Sequence, residues 1–395
     1  TGESKGAALY LASNTKWPSF LIRDCILKFN KAPLAGGINF NTFYIREITI
    51  FFTVFHGNKQ GALYYGVKSL SGLQKTPYVK KLVLVSSNFT RNRAHYGSAV
   101  FIQNIYLAMM INVKLIENRG HDAACHMQSH VLKIKNCIFM HNKAQANGSG
   151  IYVGMDGKEM HRRNANVSIY QCSFLHNTAR NGGGFYIKPT KLYIQGTRFR
   201  NNIASDCGGV GFINAILHSN NIKVTMSLQA CFMINNTSNI GGAFHFVSHQ
   251  LYSVELHIML SVFYYNQAGK YGGGGYICFP GMNSSFSIRN CIFSNNTSGV
   301  NGGAIIIFHT NKVYISSSIF QYNTAMNFGG GIHYSKSSGS CGISDSMKRE
   351  YQDLSVLSLG NIFMHNTANQ AGNVFLIIVT RKIMIRLIIA MPIYV

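Results

Sequence analysis

Acidic residues are scarce in this sequence: 12 Asp and Glu stand against 36 Lys and Arg in 395 residues, a formal net charge of +24 at pH 7. Glycoside hydrolysis usually needs two carboxyl groups close together. No Asp-Asp pair occurs, and no two acids take matching positions in consecutive copies of the repeat described below. The composition therefore disfavours a paired-carboxylate glycosidase and favours attraction to anionic partners such as acidic polysaccharides.

The cations are scattered in short groups such as Lys80-Lys81 and Arg162-Arg163, and they form no long basic block. A continuous block would indicate a binding tail. The alternative interpretation is therefore that the basic residues are solvated outer faces of the fold. No specific nucleic-acid-binding motif occurs.

Metal-binding patterns are also missing, because none of the nine cysteines forms a CxxC pair. His121, Asp122, Cys125 and His126 lie close together in residues 118–130, but their spacing fits no established metal site. We interpret this segment as an ordinary polar connection. We expect no metal, no cofactor and no catalytic residue.

Long uninterrupted apolar runs are absent. The apolar C-terminal stretch is interrupted by Arg381, Lys382 and Arg386, so no run reaches the roughly 18 residues typical of a membrane span. No charged segment followed by an apolar run precedes the first repeat, so no signal peptide is visible.

What the chain does contain is a repeat, clearest in residues 291–307 (CIFSNNTSGVNGGAIII). Eleven copies share a large apolar residue at a position we call zero: Leu27, Phe55, Phe89, Phe139, Phe174, Phe199, Phe232, Phe263, Phe293, Phe320 and Phe363. Asparagine follows three residues later in every copy: Asn30, Asn58, Asn92, Asn142, Asn177, Asn202, Asn235, Asn266, Asn296, Asn323 and Asn366. Successive copies lie 25 to 50 residues apart, and a repeat of this length is typical of a stacked array.

Apolar spacing inside each copy indicates strands. Ile or Leu stands five residues before position zero in nine copies, usually with another aliphatic residue two places earlier, which is the period of a half-buried strand. A small residue two before position zero, such as Cys291, implies a corner between two strands. A third strand begins at a Gly-Gly pair such as Gly302-Gly303. We predict an all-β fold, a single-stranded right-handed parallel β-helix of about eleven coils with three short strands each.

The predicted organisation is one β-helix over residues 22–377. Residues 1–21 would form a partial coil or a truncated N-terminus, and residues 378–395 an apolar, basic tail that is the last coil or a cap. Loops that protrude from the coils would carry any additional function.

The repeated asparagine has a structural role in this prediction. Asparagine tolerates the left-handed backbone of a tight corner. Its amide can donate to one neighbouring coil and accept from the other, so the eleven asparagines would form a hydrogen-bonded ladder at strand spacing, about 4.8 Å.

The combination of Phe293, Asn296 and the run Gly302-Gly303-Ala304-Ile305 resembles the repeats of the chlamydial polymorphic membrane proteins and related β-helical surface proteins. The resemblance implies an extracellular or cell-surface protein that acts as a structural or adhesive module. Asn-x-Ser/Thr sequons suit a secreted protein. Positions within the coil make four of them the candidates for glycosylation: Asn88, Asn166, Asn283 and Asn295.

Two functions follow from these observations. The first is a non-catalytic module that binds a cell-surface ligand such as an acidic polysaccharide. The alternative is a polysaccharide lyase or another carbohydrate-active enzyme, because many parallel β-helices are carbohydrate enzymes; fold analogy alone supports it.

Overall fold

The computed structural model describes residues 8–13, 19–32, 35–42, 44–65, 78–154, 165–215, 223–248, 253–281, 283–335, 355–370, 375–378 and 388–389. Within these residues the regular structure is all strand, paired in parallel into three sheets. The chain divides into two compact units, Thr1–Ile187 and Lys188–Val395. The prediction of a parallel β-helix is confirmed.

Each coil contains the three predicted strands and, in most coils, a fourth one. The strand after the Gly-Gly pair and the strand before position zero both belong to one sheet, here called the long sheet. The strand through position zero forms the phenylalanine sheet. The additional strand, two to five residues long, follows the ladder asparagine and forms the short sheet.

In the first unit, the long sheet contains Leu9–Ser13, Ser19–Arg23, Ile38–Thr42, Tyr44–Phe51, Leu63–Tyr65, Tyr78–Val85, Val100–Ile111, Cys125–Lys135, Ile151–Val153, Asn166–Tyr170 and Phe185–Ile187. The phenylalanine sheet contains Ile26–Lys28, Val54–His56, Asn88–Thr90, Lys114–Ile116, Ile138–Met140 and Ser173–Leu175. The short sheet contains Arg93–Ala94, Arg119–Gly120, Lys143–Ala144 and Thr178–Asn181.

In the second unit, the long sheet contains Lys191–Gln195, Gly211–Ala215, Val224–Gln229, Phe244–Ser248, Val254–Met259, Gly275–Cys278, Ser285–Arg289, Ile305–Phe308, Lys312–Ser316, Ile332–Ser335, Ser355–Leu359, Phe375–Ile378 and Ile388–Ile389. The phenylalanine sheet contains Arg198–Arg200, Phe232–Ile234, Val262–Tyr264, Ile292–Ser294, Ile319–Gln321 and Ile362–Met364. The short sheet contains Ile203–Cys207, Thr237–Ile240, Gln267–Tyr271, Thr297–Ser298, Thr324–Ala325 and Thr367–Ala368.

The ends of the chain pair with the coils where the structure describes them. Leu9–Ser13 pairs with Ile38–Thr42, and Ile388–Ile389 pairs with the strand Ser355–Leu359. Most of the predicted tail, residues 378–395, lies outside the described residues.

Stacked aromatic rings fill the inside of the coils. Phe263, Phe293 and Phe320 are buried, and their ring centroids lie 4.3 and 4.9 Å apart from one coil to the next. Each ring therefore contacts the rings above and below, which is how a solenoid buries apolar surface.

The corners use left-handed backbone at fixed positions. The residue before the ladder asparagine has a positive φ, for example 53° at Asn295. The prediction that the ladder asparagine itself has the left-handed backbone is therefore wrong. The first glycine of the Gly-Gly pair does match its prediction: Gly302 has a φ of 71°, and a Cβ there would lie 2.6 Å from the Ile305 carbonyl oxygen. Glycine is needed at that corner.

The predicted repeat misses one coil. Lys114–Ile116 pairs with Asn88–Thr90 on one side and with Ile138–Met140 on the other. Leu115 occupies position zero and Asn118 the ladder position, both fully buried. The six strands of the phenylalanine sheet in each unit thus give twelve copies in the described residues, not eleven.

Candidate anion-binding site

The asparagine ladder fixes the corner between the phenylalanine sheet and the short sheet. In unit one it comprises Asn30, Asn58, Asn92, Asn118, Asn142 and Asn177, and in unit two Asn202, Asn236, Asn266, Asn296, Asn323 and Asn366. Asn296 illustrates the pattern. Its Nδ2 donates to Asn323 Oδ1 at 2.9 Å and to the Phe263 carbonyl at 3.0 Å. Its buried amide is fully used in holding three coils together.

The prediction that Phe232 and Asn235 occupy position zero and the ladder is wrong by one residue. Met233 is buried, whereas Phe232 is 42% exposed. Asn236 accepts from Asn202 and donates to Asn266, while Asn235 is exposed, has a φ of 53° and donates to Asn201. The Asn-Asn pair satisfies the pattern in two registers, and the buried register places Met233 inside.

The residue that follows each ladder asparagine starts the short sheet or its continuation. In the first unit Thr178 follows Asn177, and the other five residues are cationic: Lys31, Lys59, Arg93, Arg119 and Lys143. Parallel pairing joins each of them to the next in the series. We call these five side chains the basic column. Because neighbouring strands lie about 4.8 Å apart, the column extends roughly 19 Å along the unit.

Backbone hydrogen bonds from the column residues to the ladder residues hold the column in place. The amide nitrogens of Lys59, Arg93 and Arg119 each donate to the carbonyl oxygen of a ladder asparagine one coil away, at 2.8 to 3.0 Å. The buried ladder thus positions the exposed cations. The backbone positions of the five cations are therefore as regularly spaced as the coils.

The charges of the column are not neutralised within the described part of the chain. All five side chains are exposed, and none forms an ion pair with a described carboxylate. Glu117, two residues before Arg119, accepts instead from Arg91 at 2.6 Å. That hydrogen bond, more than the field of Arg119, lowers the pKa of Glu117 and keeps it ionised. Like charges on adjacent strands are destabilising.

Imidazole rings flank the column. His95 and His121 stack with ring centroids 4.6 Å apart, two residues after Arg93 and Arg119. His141 and His176, each just before a ladder asparagine, stack at 4.8 Å. The surroundings of the column therefore add hydrogen-bond donors for an anion.

The side chains of His121, Asp122, Cys125 and His126 do not converge on one point. Asp122 lies 3.7 Å from His121 Nδ1 and 3.8 Å from His126 Nδ1. Cys125, however, is fully buried, with its sulfur 3.9 Å from Met110 Sδ. Cys125 and His126 belong to a strand, not to a loop connection, so their side chains point to opposite faces. In the described residues no three His, Cys, Asp or Glu side chains form a metal-binding group.

The four candidate glycosylation residues differ in exposure. Asn283 is exposed, and Asn88, Asn166 and Asn295 are half-buried, the first two on strands. Asn235 is more exposed than the three half-buried residues, because it lies on the outer side of the corner and not in the ladder.

One known repeat matches the chain: residues 290–306 match the model of the Chlamydia polymorphic membrane protein (Chlamydia_PMP) repeat. The chain is thus similar to these proteins in the stretch where its repeat is clearest. No curated protein and no solved structure matches it. The described residues include no helix long and apolar enough to cross a membrane.

Proposed function

We propose that this protein is an extracellular or cell-surface binding module that holds acidic polysaccharide along the basic column. The observation that carries the proposal is the column itself, five exposed cations in consecutive coils with no described carboxylate paired to them. The arrangement is intrinsically repulsive. A polyanion that lies along the coils would remove this repulsion.

The expected ligand is an extended polymer. Cations on neighbouring strands, which lie about 4.8 Å apart, can meet a chain of carboxylates or sulfates at several points. Many weak contacts of this kind release bound counterions and depend strongly on salt. The histidine stacks beside the column would contribute hydrogen bonds to the sugar hydroxyls.

Two observations support a location outside the cell. The matching family repeat comes from a membrane protein by its description. In addition, Cys278 forms a disulfide, and disulfides form mainly in oxidising compartments.

We expect the column to bind the polysaccharide without cleaving its backbone. Hydrolysis of a glycosidic bond usually needs a pair of carboxyl groups. The charge of Glu117 interacts with Arg119 of the column, and this carboxylate is held by Arg91. The alternative function is a polysaccharide lyase, which would release cleavage products from the bound chain.

The test compares two triple variants on a heparin column. Lys59→Gln, Arg93→Gln and Arg119→Gln remove three charges from the basic column. Lys114→Gln, Lys133→Gln and Lys135→Gln remove three exposed charges from other faces of the same unit, so both variants fall from +24 to 24 − 3 = +21. We expect the wild type and the second variant to elute well above about 0.15 M salt, and the first variant to elute much earlier.

Equal elution of the two variants would contradict the column as the binding site. A parallel assay would follow unsaturated or reducing-end products from acidic polysaccharides. Products formed by the wild type, and lost on replacement of His95 or His121, would establish a lyase in place of a binding module.

A further inference from the structure

A second polar constellation lies in unit two, on the outer face of the long sheet. His257 and Ser287 are register partners on the adjacent strands Val254–Met259 and Ser285–Arg289. Glu255 stands two residues before His257, on the same face. All three side chains are partly exposed, so a solute can reach them.

The three side chains are hydrogen-bonded in series. His257 Nδ1 lies 2.6 Å from Ser287 Oγ, and His257 Nε2 lies 3.2 Å from Glu255 Oε1. With the proton on Nε2 donated to the carboxylate, Nδ1 is left to accept the serine hydroxyl. A serine, a base and an orienting carboxylate in this order form the arrangement that activates serine nucleophiles.

The carboxylate is held in its ionised form. Lys223 Nζ lies 2.6 Å from Glu255 Oε2. The hydrogen bond from Lys223, with smaller contributions from His257, lowers the pKa of Glu255. Glu255 can therefore stabilise an imidazolium on His257 throughout the neutral pH range.

Side chains that can donate to a developing oxyanion occupy positions next to Ser287 in the sheet. Tyr314 is the register partner of Ser287 on the following strand, and Arg289 is two residues further along the strand of Ser287. Both lie on the outward face and are exposed. Lys312, the register partner of Ser285, adds a cation with no described carboxylate beside it.

From this geometry we propose that Ser287, His257 and Glu255 form an esterase site for carboxylic esters that carry an anionic group. Ser287 Oγ attacks the ester carbonyl carbon and passes its proton to His257 Nδ1. The ester C–O bond then breaks, and Nδ1 returns that proton to the departing alkoxide. Water attacks the acyl-serine by the same route, releasing the carboxylic acid and restoring the Ser287 hydroxyl.

The chain contains an internal control. His56 Nδ1 lies 2.7 Å from Thr90 Oγ1 on adjacent strands of the phenylalanine sheet. In the residues described by the structure, no carboxylate is hydrogen-bonded to His56. This pair therefore reproduces the hydroxyl–imidazole contact without the third member.

The experiment treats the full chain with a fluorophosphonate probe and maps the labelled residue by mass spectrometry. We expect label on Ser287 and none on Thr90. His257→Gln should slow labelling at least about 100-fold, the scale of general-base catalysis, and Glu255→Gln should also slow it. Hydrolysis of 4-nitrophenyl acetate should fall in the same variants, with Ser287→Ala as the blank.

Failure to label Ser287 in the folded chain would overturn the proposal, as would labelling at an unchanged rate in His257→Gln. Ester hydrolysis equal in the wild type and Ser287→Ala would assign the activity to exposed histidines and would also overturn it. Lys312→Gln should slow hydrolysis of 4-acetoxybenzoate several-fold more than it slows hydrolysis of 4-nitrophenyl acetate; equal effects on both would contradict the anionic preference. Heparin elution of Ser287→Ala should match the wild type, which separates this site from the basic column.

Discussion

At the scale of single residues, Asn235 and Asn236 show how one position decides the role of a side chain. The buried side-chain amide of Asn236 donates to the Phe199 carbonyl and to Asn266 Oδ1, and its Oδ1 accepts from Asn202. Asn235 lies on the outer side of the corner. Removal of a buried hydrogen-bonding group costs about 1 to 3 kcal/mol because its partners lose their hydrogen bonds.

Asn236→Ala should therefore destabilise the protein by about that amount. Asn235→Gly, which suits the positive φ of Asn235, should change its melting temperature little. Thermal unfolding of the two variants side by side measures the difference. Equal melting temperatures would show that the ladder does not stabilise the coils.

The same pair gives a prediction about modification. Asn235 and Asn236 both begin Asn-x-Ser/Thr sequons. In protein from a secretory host, a glycan should be found on Asn235 and not on Asn236, because only the former is accessible in the folded chain. Peptide mapping by mass spectrometry decides this. High occupancy at Asn236 would be incompatible with its buried position.

His333 gives a pH dependence. It is 2% exposed beside Phe308 and Phe328, and burial lowers its pKa from 6.5 to about 4. The unfolded chain therefore binds a proton more readily than the folded one, and stability falls as the pH decreases from 6.5 towards 4.

His333→Phe should reduce this acid-induced loss by up to about 3 kcal/mol and should have no such effect above the pH range of the shift. Melting temperatures across that range provide the measurement, with the exposed His95→Phe as control. The hypothesis fails if His95→Phe and His333→Phe flatten the pH profile equally.

At the scale of elements, the short sheet carries a contrast between the two units. The residues after the ladder asparagine are Lys or Arg through most of unit one, but Thr237, Thr297, Thr324 and Thr367 stand at that position in unit two. Threonine suits an exposed strand position and adds no repulsion. The cations of unit one are thus not required for the strand to form.

Arg93→Thr should accordingly stabilise unit one, by about 0.2 to 1 kcal/mol at low ionic strength. The gain should shrink at high salt, where repulsion between Lys59, Arg93 and Arg119 is screened. Melting temperatures at low and high salt test this, with Lys114→Thr as a matched surface change. A loss of stability at both salt concentrations would contradict mutual repulsion in the column.

Much of this architecture could be predicted from sequence because Phe and Asn recur at a fixed separation. The coil of Leu115 and Asn118 escaped the pattern, since leucine replaces phenylalanine and its strand Val100–Ile111 runs without a Gly-Gly corner. The one-residue register error at Phe232 and Asn235 came from an Asn-Asn pair. Both errors arose because the choice depends on which side chains are buried, and the sequence pattern alone does not show this.

The basic column was harder to predict from the sequence, although the sequence contains all five of its residues. Its members are 24 to 34 residues apart, so no charge run appears along the chain. Alignment of all copies on the buried asparagine is the signal that reveals it.

The proposed esterase site depends on a register between Glu255, His257 and Ser287 that falls on the outer face, where the repeat imposes no pattern.

At the scale of the whole molecule, the net charge of +24 can attract polyanions in two ways. A diffuse surface charge would bind them wherever cations are exposed, and the loss of any three charges would weaken binding equally. An ordered column concentrates the attraction in unit one, so that the position of the charges matters as well as their number.

The most direct test measures the dissociation constant for a heparin oligosaccharide as a function of salt concentration. The plot of log Kd against log salt should lose roughly one unit of slope for each column cation replaced in the Lys59→Gln, Arg93→Gln, Arg119→Gln variant. The Lys114→Gln, Lys133→Gln, Lys135→Gln variant should retain the slope and affinity of the wild type. Identical salt dependence in the two variants would contradict the basic column as the binding site.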